Sequence, residues 1–137
     1  MAGAAISLLL LEPDRPTRHL YTRELGRSYR VIPVERLPEA LQVLSTQEVH
    51  VAVLEPGTFG DELWRRLGTL RAQRPGGLPP VIICSAIDER SQAYRAGVSA
   101  YLIKPVSPQR LAAEVARWLA EAGFHGGRSD ADRTEGE

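Results

Sequence analysis

The sequence predicts an α/β domain, a five-stranded parallel sheet with helices on both faces. Two observations carry this. Five short apolar runs alternate with five segments of helical character, the pattern of a sheet covered on both sides. The first run, Ile6–Leu11, is also a short continuous apolar run, as strands buried on both faces are, where a half-exposed strand would alternate. At 137 residues the chain has the length of one domain and can bury a real core.

The elements follow in order. Ile6–Leu11 is the first strand, ending at Glu12-Pro13-Asp14. Asp14 suits the N-cap of a helix over Arg15–Leu25, with Pro16 tolerated in its first turn and Gly26 closing it. Tyr29–Val34 is the second strand; Pro33 lacks an amide donor and places it at a sheet edge. Leu37, Ala40, Leu41 and Leu44 recur at helical spacing, so Leu37–Gln47 is an amphipathic helix. Val49–Leu54 is the third strand, ending at Glu55, and Leu63, Leu67 and Leu70 stripe a helix over Phe59–Gln73. The breaker cluster Arg74–Pro80 is a loop. Val81–Cys84 is the fourth strand, ending at Ser85, and Ile87–Ala96 is a weaker helix closed by Gly97. Ala100–Ile103 is the fifth strand. Ser107 caps the last helix, with Pro108 at its first position and Leu111, Val115, Trp118 and Leu119 on its inner face. Residues 1–122 form the domain, and the polar, acidic stretch 123–137 reads as a disordered tail.

Bulk composition narrows the function classes. The formal net charge is zero, so no basic excess points to nucleic acid or to an acidic membrane surface. One cysteine, Cys84, excludes an internal disulfide and reads as a small buried hydrophobe. The apolar N-terminus lacks a basic region and stops at Glu12, which suits neither a signal peptide nor a membrane span. A cytoplasmic protein is expected. The three histidines show no metal-ligand spacing, and Trp64 and Trp118 read as packing.

The functional signal lies at the strand ends. Right-handed crossovers favour the flavodoxin-like order 2-1-3-4-5, and ligands in such sheets sit outside the carboxyl ends of the strands. Here those ends are Glu12, Glu55, Ser85 and Lys104. Lys104 is also the one lysine among 17 basic residues. A compact ammonium on a flexible stem reaches into a cleft as a guanidinium does not.

In that arrangement the chain resembles a receiver domain of two-component response regulators, over about Ile6 to Leu119. Ser85-Ala86 matches the family's hydroxyl position, Lys104-Pro105 its lysine and proline, Tyr101 its aromatic, and Gly97–Tyr101 its approach to the fifth strand. The resemblance implies a cis Lys104–Pro105 bond. It implies that Glu12 stands for the first metal acid and Glu55 for the phosphoaccepting aspartate. Pro13 occupies the second acid's place and offers no carboxylate. Glu55 is one methylene longer than aspartate, which moves its carboxylate by roughly 1.5 Å. The loop after Glu55 departs as well, with Pro56 following at once.

These departures set the expectations. Glu55 is the degenerate equivalent of the phosphoacceptor and pairs with Lys104, with Ser85 nearby. Glu12 reads as an unliganded cleft acid, and Asp14 as a helix cap that also faces the acidic pocket. No catalytic residue, metal ligand or cofactor is assigned; weak Mg²⁺ binding at Glu12 and Glu55 is the most the pocket would support. The chain is read as a non-enzymatic, phosphorylation-independent interaction module. It would bind a protein partner, or a second copy of itself, through the fourth helix, fifth strand and fifth helix. Tyr101 would serve that face or simply pack beneath it. The alternative is an active receiver that takes a phosphoryl group from a histidine kinase with Mg²⁺. A flavin or nucleotide domain fits less well, because Glu12–Pro16 has no glycine and puts acids where a phosphate would lie. No output domain follows the fifth helix, so the chain acts alone or is one domain of a larger protein.

Overall fold

The structure, a computed structural model, describes residues 5–124. Its elements are β1 (Ser7–Leu11), α1 (Arg15–Leu25), β2 (Arg30–Val34), α2 (Leu37–Thr46), β3 (Val51–Leu54), α3 (Gly60–Gln73), β4 (Val81–Ser85), α4 (Arg90–Arg95), β5 (Ala100–Ile103) and α5 (Pro108–Glu121). All strands are parallel, in the order β2-β1-β3-β4-β5. The fold class and strand order are those the sequence predicts. Of the tail expected over 123–137, Gly123 and Phe124 bond back to Ala120 O and Leu119 O, and residues 125–137 lie outside the described residues.

The apolar side chains of the strands split by parity between two cores. Leu8 and Leu10 of β1 pack with Tyr21, Leu25, Leu111, Val115 and Leu119 of α1 and α5. Leu9 and Leu11 face the other way, against α2 and α3 through Leu41, Leu44, Leu63 and Leu67. Each face therefore needs helices, and right-handed crossovers supply them. At the edge, Arg30 N and Val34 O both bond toward β1. The side of Pro33 that lacks an N–H thus faces outward, where no ladder bond is lost.

Helix ends obey local chemistry. Asp14 Oδ2 accepts from the Thr17 amide at 3.1 Å, and Ser107 Oγ accepts from the Arg110 amide at 3.0 Å, satisfying N-terminal donors of α1 and α5. Gly97 has φ +99°, and the Arg71 guanidinium lies where a Cβ would project. Two boundaries differ from the sequence reading by more than one residue. α4 begins at Arg90, three residues late, because side chains claim the preceding backbone. Ser85 Oγ accepts from Ile87 N, Asp88 Oδ1 accepts from Arg90 N, and the Tyr101 hydroxyl binds Ile87 O and Glu89 N. β3 begins at Val51, two residues late.

The core sets the first expectation. Leu67→Ala, at a fully buried position of α3, should lower the unfolding free energy by about 2–5 kcal/mol. Leu20→Ala, at an exposed position of α1, should change it by less than about 0.5 kcal/mol. Urea denaturation of both variants checks the pair.

Candidate functional site

The sheet fixes where each polar strand end stands, because the ladder runs on through them. Glu12 N donates to Val34 O at 3.1 Å, Glu55 N to Leu11 O at 3.0 Å, and Lys104 N to Ser85 O at 2.9 Å. Leu11 pairs with Leu54, so Glu12 and Glu55 leave neighbouring strands side by side. Lys104 leaves β5, two strand spacings from β3 and three from β1, or about 10 and 14 Å. A long side chain and a small residue on the intervening strand make that reach feasible. Ser85 is the intervening residue.

Lys104 Nζ lies 2.7 Å from Glu12 Oε1 and 3.1 Å from Glu55 Oε1. One ammonium thus bridges two carboxylates, where the sequence reading paired it with Glu55 alone. Each carboxylate also accepts a backbone amide through its other oxygen. Glu12 Oε2 takes Asp14 N at 3.0 Å, and Glu55 Oε2 takes Gly57 N at 2.9 Å. Glu12 is 2% exposed and Glu55 8%. Burial opposes the charge on Lys104, but the hydrogen bonds and attraction of Glu12 and then Glu55 outweigh it. The net effect holds the lysine above its ordinary 10.5.

The remaining site residues divide between this cluster and its surroundings. Asp14 is exposed and makes no bond to Lys104; the Thr17 hydroxyl and amide hold its carboxyl below the usual value. Ser85 is buried and its hydroxyl accepts from Ile87 N at 3.1 Å. The Lys104–Pro105 bond is cis. Tyr101 is buried, its hydroxyl donates to Ile87 O, and its ring belongs to the core that holds Ala93 and Ala96, on the inner side of the surface made by α4 and β5. The exposed apolar side chains of that surface are Tyr94 and Ile103. Cys84 is buried with its thiol pushed up by burial, and Tyr21 covers it while donating to Val106 O at 2.8 Å.

Two contributors escaped the sequence reading. Arg18 of α1 donates to Glu12 O at 2.8 Å and lies 3.4 Å from Glu35, tying the ends of β1 and β2 together. Trp64 of α3 donates its indole N–H to Glu89 Oε1 at 3.1 Å, tying α3 to the segment before α4. Neither has a motif; both depend on residues brought near only by folding.

The donor set fits Mg²⁺ poorly. That ion takes near-octahedral oxygen ligands at about 2.0–2.1 Å, commonly one or two carboxylates. Here both carboxylates hold an ammonium between them, and Pro13 contributes no side-chain oxygen. Among the described residues no group of three or more His, Cys, Asp or Glu could hold a metal ion. None of their helices is long and apolar enough to cross a membrane.

Removing Lys104 exposes what it balances. Lys104→Met should destabilise the domain by about 3 kcal/mol, because two buried carboxylates lose their counter-ion. Adding Glu12→Gln and Glu55→Gln should recover most of that loss. The folded pKa of Lys104 is raised, so its stabilisation is fully present below 10.5 and fades as pH climbs through the folded value. The stability gap between wild type and Lys104→Met should therefore narrow in strong alkali. Chemical denaturation of the three proteins between pH 7 and 11.5 checks both statements.

No protein-family profile matches the chain. The transcriptional regulatory protein GltR of Pseudomonas aeruginosa is 29% identical over 130 residues, covering 90% of this chain and 53% of that protein. The response regulator protein FleR of the same organism is 32% identical over 120 residues, covering 82% of this chain and 24% of its own length. The chain thus spans about half, or a quarter, of these relatives. A CheY-like response regulator receiver domain protein from Methanospirillum hungatei superposes with a TM-score of 0.76 at 20% identity, covering 88% of this chain and 98% of its own. By strand order, crossovers and superposition, the chain has the fold of response-regulator receiver domains.

Proposed function

We propose that this chain is an atypical receiver that works as a phosphorylation-independent protein-interaction module in signal transduction. The observation that carries the reading is the ammonium of Lys104 held between Glu12 and Glu55, next to a proline where a second acid would stand. In an active receiver the same lysine would meet an incoming phosphoryl group. Here a fixed ion pair fills that role. A carboxylate displaced by about 1 Å from a productive position can lose ~10²-fold in rate. The longer side chain of Glu55 and the missing acid at Pro13 both act in that direction.

The partner would be a protein docking on the surface made by α4, β5 and α5. Tyr94 and Ile103 supply exposed apolar area there, and the buried Tyr101 sets the shape beneath them. A second copy of the chain is the other occupant this surface suits.

A second reading has an observation behind it. The relatives are named as a response regulator and a transcriptional regulatory protein, and Ser85 and Lys104 keep the family's hydroxyl and cation. The comparisons lean toward this active receiver, using Glu55 as acceptor with Mg²⁺. The donor geometry leans the other way, and we favour it because chemistry at the site depends on the site.

Acetyl phosphate or beryllofluoride with Mg²⁺ separates the two. The expected outcome is no phosphoryl mass gain and no NMR shifts around Glu55. A single phosphoryl adduct that disappears in Glu55→Gln would establish the active receiver.

A further inference from the structure

Beside the ion cluster lies a cleft of about 400 Å³ that the reading above leaves unused. It opens at the carboxyl ends of β2, β1 and β3. Pro13, Leu37, Pro38, Pro56 and Phe59 form its apolar walls. Phe59 is 59% exposed, an unusual position for a large aromatic at the mouth of a cavity. Size and lining match small-molecule sites, which are mostly apolar with a few placed polar groups.

The charges at this cleft are not balanced. Glu55 borders it, and Glu55 shares one ammonium with Glu12. Two carboxylates against one lysine leave a formal charge of −1 in a largely buried place. Glu35 is answered by Arg18. Glu62 and Arg36, also on the lining, carry opposite charges and make no ion pair among the described residues. The excess at Glu55 therefore remains. Glu55 Oε2 accepts one hydrogen bond and Oε1 faces the Lys104 ammonium at 3.1 Å, and a carboxylate has room for more.

We propose that the cleft binds a small apolar molecule carrying one cationic amine, with the amine at the Glu55 carboxylate and the apolar body against Phe59 and the three prolines. Anions are disfavoured by the same excess charge. The proposal rests on the phosphorylation-independent reading, since such a ligand would act on Glu55 in place of a phosphoryl group. Bound there, it would compete with Lys104 for Glu55 and so couple occupancy to the ion cluster.

The test uses the full chain, labelled with ¹⁵N, at pH 7 without Mg²⁺ or phosphodonor. Naphthylmethylamine is the probe; naphthoate and naphthylmethanol are its anionic and neutral counterparts. The amine should shift the amides of Leu37, Glu55 and Phe59 with a dissociation constant on the order of 1 mM. Glu55→Gln should weaken it about tenfold, the size of one lost charge-assisted hydrogen bond. Phe59→Ala should weaken it as well, and its spectrum reports whether the fold is intact. No shifts at the solubility limit, equal shifts from naphthoate or naphthylmethanol, or indifference to both substitutions would overturn the proposal. Because no phosphodonor is present, the result stands apart from acyl-phosphate labelling. Labelling at Glu55 would end the phosphorylation-independent reading and leave the binding result to be judged by itself.

Discussion

The mouth of this sheet depends on one ammonium that spans three strands. Lys104 starts on β5, passes the small Ser85 on β4, and ends between glutamates that rise from β3 and β1. The contact closes because all three acidic or basic side chains are long. An aspartate at position 55 would stop one methylene short, and an arginine would bring a planar fork into a space shaped for a point charge. The ladder bonds at Glu12, Glu55 and Lys104 hold their backbones in place, so the freedom lost when the side chains meet is that of their rotamers alone. Neither carboxylate can drop the lysine without leaving a buried charge partly uncompensated.

A second network starts one strand away. Ser85 and Tyr101 together fix the segment before α4: the serine takes Ile87 N, and the tyrosine bonds Ile87 O and Glu89 N. Glu89 then reaches the Trp64 indole on α3. Farther along the same two elements, the Arg71 guanidinium lies against Gly97, which a side chain would block. The short helix α4 is thus anchored before and after its six residues by α3 and β5. Its position follows from side-chain bonds more than from its own helical propensity, which six residues cannot sustain. Ser85 belongs to the mouth by location and to this network by bonding.

What the sequence disclosed, and what it withheld, follows from range. Strand identity, the edge position of Pro33 and the caps Asp14 and Ser107 are decided by neighbours within a few residues, so they were legible. The convergence of four strand ends was legible once the crossover rule fixed the order. The double grip on Lys104 was not, because it depends on side-chain reach across strand spacings, and a list of strand ends does not carry that length. The late start of α4 was hidden for a related reason: the hydroxyl of Tyr101, eleven residues beyond Arg90, occupies the backbone groups that would have begun the helix. The cleft was hidden too. Phe59 continues the Leu63–Leu67 spacing in sequence, but it sits at the N-cap of α3 and is exposed, and it joins Pro13 and Pro38 along the cleft only in three dimensions.

Pro13 links these observations. A carboxylate at that position would extend the charged half of the mouth toward β2. The proline instead makes it a wall, and with Pro38, Pro56 and Phe59 it lays an apolar surface between Glu55 and the charged rim of Glu35, Arg36 and Glu62. Charge and apolar surface then adjoin at Glu55. Apolar walls exclude water and lower the local dielectric, so any charge brought to Glu55 interacts with it more strongly than it would in an open, hydrated mouth. The same substitution that weakens the case for a metal therefore sharpens the site for an organic cation. The residue at position 55 faces both halves, and what reaches it from the apolar side decides how firmly Lys104 is held from the other.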